Sequence, residues 1–222
     1  MKQTKKDFVH VGNNLAMDFI NTQIICNEQD IDLLTCMNDL HQWASEIDVE
    51  LDCASNETTT NKDIIEKNCI EEVHCFRKSL KTLITMHQSA LILANQSVPE
   101  KTVNNEDKNK NKSEDETQAL STLNHYLCHA PSQKRLTMVG PKYSLETLNQ
   151  KLSVNQLLGK IALAAANLLT SSHGQHIKNC ANEKCILMFV DISRSKKRRW
   201  CSMDRCGNRS KASKFYHANK EV

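Results

Sequence analysis

CANEKCILMFVDISRSKKRRWCSMDRCGNRSKASK, residues Cys180 to Lys214, carries four cysteines as two matched pairs. Four residues separate Cys180 from Cys185 and Cys201 from Cys206, and fifteen residues lie between the pairs. Zinc favours four soft ligands in a tetrahedron, and thiolates from two short-spaced pairs supply them. The apolar run Ile186–Val190 predicts a strand, 191–195 its turn, and Lys196–Trp200 a returning strand. After the second pair, Asn208–His217 predicts a helix that starts as early as Ser202, a favoured capping residue. Knuckle, hairpin and ligand-bearing helix together describe a small treble-clef-like or zinc-ribbon-like finger holding one structural zinc.

RRWCSMDRCGNRSK, Arg198 to Lys211, resembles the CGNR-type zinc fingers of bacterial proteins, with Cys206-Gly207-Asn208-Arg209 as the motif that names them. FVDISRSKKRRWC upstream resembles the same family's hairpin. Near the other end, Leu15-Ala16-Met17-Asp18-Phe19-Ile20-Asn21-Thr22 is similar to the LALDFxNT motif of the helical ABATE domain that accompanies such fingers. The resemblance implies a stress-related transcriptional regulator that binds double-stranded DNA through its finger.

The charge distribution agrees with an anionic partner. From Cys180 to Val222 there are 11 Lys and Arg against 4 Asp and Glu, whereas the other 179 residues hold 18 against 22. A basic tail on a mildly acidic body is an asymmetry that polyphosphate rewards. No apolar run is long enough to span a membrane, and no apolar stretch follows the basic N-terminus as in a secretory signal. A cytoplasmic protein with reduced thiols is the expectation. The other cysteines (Cys26, Cys36, Cys53, Cys69, Cys75, Cys128) form no ligand-spaced pair and read as ordinary buried or half-buried thiols.

The body, residues 1–176, reads as mainly α, with the finger at 177–222. Asn13 or Asn14 caps a helix running to about Thr22. Asp18 and Asn21 read as side chains that tie loops to that helix, or else as a ligand or partner site. Helical spacing covers 30–47, with Trp43 facing the core, and 62–95 forms the longest amphipathic segment. His87 on its apolar side reads as a satisfied core histidine. The low-complexity, charged stretch 100–116 reads as a disordered insertion. A helix over 117–130, strands at Lys134–Val139 and Lys142–Leu145 around Gly140-Pro141, and a helix over 153–171 with Gly174 as its stop complete the body. The first ligand, Cys180, follows Gly174 within six residues, which predicts a finger packed on the body.

Arg194, Lys196, Lys197, Arg198 and Arg199 form a basic cluster, and Arg205, Arg209, Lys211 and Lys214 add charge to it. Clustered Lys and Arg on a metal-braced module favour nucleic acid. Trp200 reads as the finger's small core. Arg209 suits either a guanine edge or an internal brace; Asn208 beside the metal suits bracing, and Gly207 belongs to the motif. Four protein ligands leave zinc no open position for hydrolytic chemistry, and no nucleophile, base and orienting group stand at recognisable spacing, so an enzyme is not expected. Two further readings are a protein-interaction module with a purely structural zinc and a thiol redox sensor. The helical body is a candidate for homodimerisation and for a small-molecule effector.

Overall fold

The computed structural model describes residues 6–52, 59–95, 106–131, 134–147 and 151–212. The chain begins with α1 (Leu15–Ile20), then a hairpin of β1 (Gln23–Cys26) and β2 (Gln29–Asp32). Helix α2 (Met37–Glu46) and the 37-residue α3 (Thr59–Asn95) follow, then α4 (Glu106–Leu127). A second hairpin, β3 (Lys134–Val139) and β4 (Lys142–Thr147), precedes α5 (Val154–Thr170). The third, β5 (Ile177–Asn179) and β6 (Met188–Val190), opens the finger. Each hairpin is an antiparallel pair of its own.

Asn14 caps α1 by accepting from the Ala16 N–H at 2.9 Å, and Ser153 caps α5 in a reciprocal box with Gln156. One apolar stripe of α5 (Leu157, Leu158, Ile161, Ala162, Ala165) is fully buried against Val73, Phe76, Leu80 and Ile84 of α3 and against α1. Phe19 of α1 sits at the centre, with ring centroids 5.5 Å from Trp43 and 5.7 Å from Phe76. Ile177, Met188 and Val190 of the finger belong to this same core, so the short link does place the finger on the body.

Several expectations need correction. The segment 30–47 is helical only from Met37, because Gln29–Asp32 pairs with Gln23–Cys26 through a turn in which Asn27 and Glu28 both take positive φ. Part of the expected insertion at 100–116 is helical: α4 already runs from Glu106, while 100–105 lie outside the described residues. Helix α5 ends at Thr170 with Ser171 as its cap, and Gly174 starts a separate turn of 3-10 helix. His87 is not satisfied: its Nε2 is buried with no partner among the described residues. Cys26, Cys36, Cys75 and Cys128 are exposed rather than buried, and Cys53 lies outside the described residues.

An unforeseen charged group lies at the heart of the body. Arg77 of α3 is 2% exposed. Its guanidinium donates to Thr22 Oγ1 at 2.6 Å and holds the Asp32 carboxylate with both terminal nitrogens. Asp32 also accepts from the Leu34 N–H at 2.9 Å, and His74 Nε2 reaches the Leu34 carbonyl at 2.6 Å. Thr22, the last residue of the α1 motif, is thus a ligand of a buried ion pair.

Candidate metal centre and nucleic-acid interface

The finger starts from a short hairpin whose turn holds the first cysteine pair. Strands β5 and β6 pair Ile177 with Val190 and Asn179 with Met188. The turn is closed by the Cys180 N–H on the Leu187 carbonyl at 2.9 Å and the Cys185 N–H on the Asn182 carbonyl at 2.9 Å. This corrects the expected hairpin, in which Lys196–Trp200 returned beside Ile186–Val190. Residues 191–198 wrap around a fully buried carboxylate instead. Asp191 accepts from the Ser193 N–H at 3.0 Å, the Arg198 N–H at 2.9 Å and the Lys178 ammonium at 2.7 Å. Burial alone would raise its pKa, but the Lys178 and Ser193 bonds hold it well below the usual carboxylate range. Lys196 takes a positive φ of 51° in this loop, which no strand tolerates.

The second pair stands at the start of the terminal helix. Ser202 caps it, accepting from the Arg205 N–H at 3.0 Å. Met203–Gly207 forms a wide π-helical turn, and the chain continues as α-helix to residue 212. Lys214 and the rest of the predicted helix lie outside the described residues. Gly207 is buried because a Cβ there would stand 2.6 Å from Met203 Sδ and 3.3 Å from Trp200 Cδ1. Asn208 is exposed, and Ser202 takes the capping role.

These elements bring all four cysteine sulfurs within 4.8 Å of one another. Cys185 Sγ and Cys201 Sγ are 3.9 Å apart, close to the edge of about 3.8 Å for sulfurs around zinc at about 2.3 Å. The Cys201 N–H points at Cys180 Sγ at 3.3 Å, the contact a thiolate uses. A hydrogen bond from Cys201 holds the Cys185 thiol down, to about 5. Hydrogen bonding to Cys185, then burial, pushes Cys201 far up, and burial pushes Cys206 up. Sulfurs this close ionise together only around a cation, and a soft divalent ion fits the donor set. Val9, Leu187 and Phe189 are buried around them, with Trp200 packed at the side, so Trp200 belongs to the finger's core.

The finger and the α1 motif are bolted together. Asn21 is 1% exposed, and its carboxamide pairs with Met188 as a strand would, donating to the carbonyl at 2.9 Å and accepting from the N–H at 2.9 Å. Asn13 donates to the Val190 carbonyl at 2.9 Å, and the Val190 N–H donates to the Gly12 carbonyl at 2.8 Å. Asp18 accepts from the Gly12 N–H at 2.7 Å, which fixes the segment that lies along β6. Asn21→Ala strips two buried backbone groups of their partners, each worth about 1–3 kcal/mol. We expect a loss of about 2–4 kcal/mol, read as a lower urea midpoint, with β6 amides exchanging faster than those of α5.

The structure divides the basic cluster in two. Arg198 is a brace: its guanidinium donates to the Val11 carbonyl at 2.9 Å, the Trp200 carbonyl at 3.0 Å and the Cys201 carbonyl, and lies 4.1 Å over the Phe189 ring. Lys196 donates to the Asp191 carbonyl at 3.0 Å. The side chains of Arg194, Lys197, Arg199, Arg209 and Lys211 are exposed and make no hydrogen bond or ion pair among the described residues, though the Arg199 guanidinium lies 5.3 Å from the Trp200 ring centroid and the Arg199 carbonyl accepts from the Ala181 N–H at 2.8 Å. Lys197 and Arg199 flank an open cleft of about 440 Å³, lined also by Asn13, Trp200, Ser202 and Met203. Arg205, whose charge extends the cluster in sequence, meets Asp7 at 3.4 Å and so belongs to the junction with the body.

Among the described residues no helix is long and apolar enough to cross a membrane. No curated protein matches the chain. Family models do match it at both ends: residues 13–172 match ABATE, described as "Putative stress-induced transcription regulator", and residues 176–218 match the CGNR zinc finger. The first match spans the helical body and the second the four-sulfur cluster with its basic loop. The chain therefore belongs to the ABATE family and carries a CGNR zinc finger with a zinc site at Cys180, Cys185, Cys201 and Cys206.

Proposed function

We propose that this protein is a cytoplasmic transcriptional regulator whose finger, folded around one structural zinc ion, grips double-stranded DNA. The observation that supports this reading is the set of five exposed cations, Arg194, Lys197, Arg199, Arg209 and Lys211, whose side chains form no ion pair or hydrogen bond among the described residues, Arg199 resting only on the Trp200 ring. Arg198 and Lys196 meanwhile hold the loop that displays them. Zinc with four protein sulfurs supplies shape, not chemistry, so the metal takes no catalytic part in this reading. Phosphates are bound through clustered Lys and Arg, and each contact releases counterions.

The test is the triple variant Arg194→Ala, Lys197→Ala, Arg199→Ala in the zinc-loaded full chain. Its affinity for duplex DNA is expected to fall by about 100-fold at moderate salt, with the slope of log K against log salt shallower by roughly 2.7. Zinc content should stay at the wild-type value. Unchanged DNA binding by the triple variant would show that the loop is not the interface.

A further inference from the structure

The open cleft beside the basic loop has a chemistry of its own. At about 440 Å³ it falls in the range of about 300–1,000 Å³ typical of small-molecule sites. Val11, Trp200 and Met203 give it apolar surface, and Lys197 and Arg199 flank it. Arg198 adds a third positive charge, although its donors are held by carbonyls. No acidic side chain among the described residues lines it.

Trp200 is half-buried. Its Cδ1 edge packs at Gly207, where a Cβ would come within 3.3 Å, and the ring also lines the cleft. The Arg199 guanidinium lies 5.3 Å from the ring centroid, so a cation and an aromatic surface stand side by side. The backbone that carries both is pinned. The Arg199 carbonyl accepts from the Ala181 N–H at 2.8 Å, and Arg198 holds the carbonyls of Trp200 and Cys201. Ala181 follows Cys180 and Trp200 precedes Cys201, so the metal cage itself sets this wall. A wall fixed in advance costs little to order on binding. Ser202 lines the cleft as well; its hydroxyl accepts from the Arg205 N–H at 3.0 Å and keeps its own proton to donate.

These groups match the two halves of a nucleotide. A flat base gains from an aromatic ring to stack on, and its phosphate gains from paired cations and a hydroxyl donor. In an intact duplex the bases are stacked on one another, so a base reaches Trp200 only after leaving the stack. We infer that this cleft binds a single unstacked nucleotide, with the base against Trp200 and the phosphate beside Lys197 and Arg199. The nucleotide comes from DNA, as an unpaired residue, or from solution, as a free mononucleotide. With the first source the inference rests on the DNA-binding reading; with the second it stands alone.

The experiment follows tryptophan fluorescence of the zinc-loaded full chain, excited where adenine does not absorb. Trp43 is fully buried and serves as a silent standard. Adenosine monophosphate is expected to quench Trp200 saturably. Ribose phosphate, which lacks the base, should compete about fivefold or more weakly, the low end of what base–aromatic stacking supports. Trp200→Phe should abolish the quenching, because only Trp43 then emits. Lys197→Glu with Arg199→Glu should weaken adenosine monophosphate about tenfold or more, with zinc content and circular dichroism unchanged. The comparison of the two ligands on wild type needs no variant, so a misfolded variant does not shelter the inference.

Two DNA probes separate the sources. A duplex with one unpaired adenine that quenches Trp200, and binds about fivefold or more tightly than the same duplex fully paired, assigns the cleft to DNA. Equal binding of the two duplexes, with quenching by the mononucleotide alone, assigns it to a free nucleotide. The inference is overturned when neither adenosine monophosphate nor the unpaired adenine quenches, when ribose phosphate competes as well as adenosine monophosphate, or when quenching survives in either variant. Salt-dependent binding of the paired duplex with no quenching by any probe sinks this inference and leaves the regulatory reading standing. Quenching by adenosine monophosphate with no duplex binding does the reverse.

Discussion

Cys206→Ser is expected to reduce bound zinc to well below one equivalent and to unfold the finger down to its junction with the body. Zinc contributes roughly 10–16 kcal/mol to the folding of peptide-sized fingers, as much as the whole stability of an ordinary domain. This finger has little else. Its own buried set is Leu187, Phe189 and the cysteines, with Val9 borrowed from the N-terminal segment. Loss of the metal therefore reaches backwards along the chain. Val9 loses the cluster it packs on, and the bonds from Arg198 to Val11 and from Val190 to Gly12 lose their support. Hydrogen exchange should show residues 9–12 and 177–190 losing protection together in the variant, while α3 and α5 keep most of theirs. Protection of residues 9–12 at the wild-type level in zinc-free protein would mean that the junction holds without the metal.

Arg77→Met is expected to be the most damaging single change in the helical body. Removing one partner of a buried ion pair leaves the other charge without compensation, at a cost of about 3–5 kcal/mol. Asp32 keeps some access to water, with 26% of its side chain exposed, so about 3 kcal/mol is the expected loss. For a chain of this size that lowers the melting temperature by roughly 6–12 °C. Thr22 loses its donor as well, so the end of α1 loosens next to the Asn21 junction. Adding Asp32→Asn to the variant should recover part of the loss, because it removes the stranded charge. A melting temperature within a degree or two of wild type for Arg77→Met would show that the pair contributes no net stability.

The periodic parts of the chain were legible because their burial follows their spacing. Helices α3 and α5 carry apolar residues at steps of three and four, and those residues are the core. The Lys134–Val139 strand and its partner were legible from Gly140-Pro141 between two extended runs. The four cysteines were legible because ligand spacing in a chain reports directly on geometry at a metal. What stayed hidden depends on partners distant in sequence. Arg77 looks like a solvated charge on an amphipathic helix until Asp32 and Thr22 are placed beside it. The β1–β2 hairpin has only short apolar runs, and its turn puts Glu28, an unusual residue for positive φ, beside Asn27. The loop after β6 looked like a strand because nothing local announces that Asp191 is buried and gathers the surrounding donors.

The basic run shows the same limit at the candidate interface. Lys196 to Arg199 are four adjacent cations in sequence, equivalent by charge. The fold separates them: Arg198 holds three carbonyls and a ring, Lys196 holds a fourth carbonyl, and Lys197 and Arg199 are exposed, Arg199 with only the Trp200 ring beside its guanidinium. Asp18, Asn21 and Thr22 are polar side chains of the α1 motif that also spend their bonds inside the fold. Of the two readings open for Asp18 and Asn21, the contacts found are ties, to Gly12 and Met188, while Thr22, not singled out in the sequence, ties to Arg77.

The most direct measurement is a titration of duplex DNA into the zinc-loaded full chain at several salt concentrations. Five exposed cations meeting phosphates predict that log K falls against log salt with a slope of about −4 to −5. No measurable binding at low salt, or an affinity that does not change as salt rises, would contradict the account.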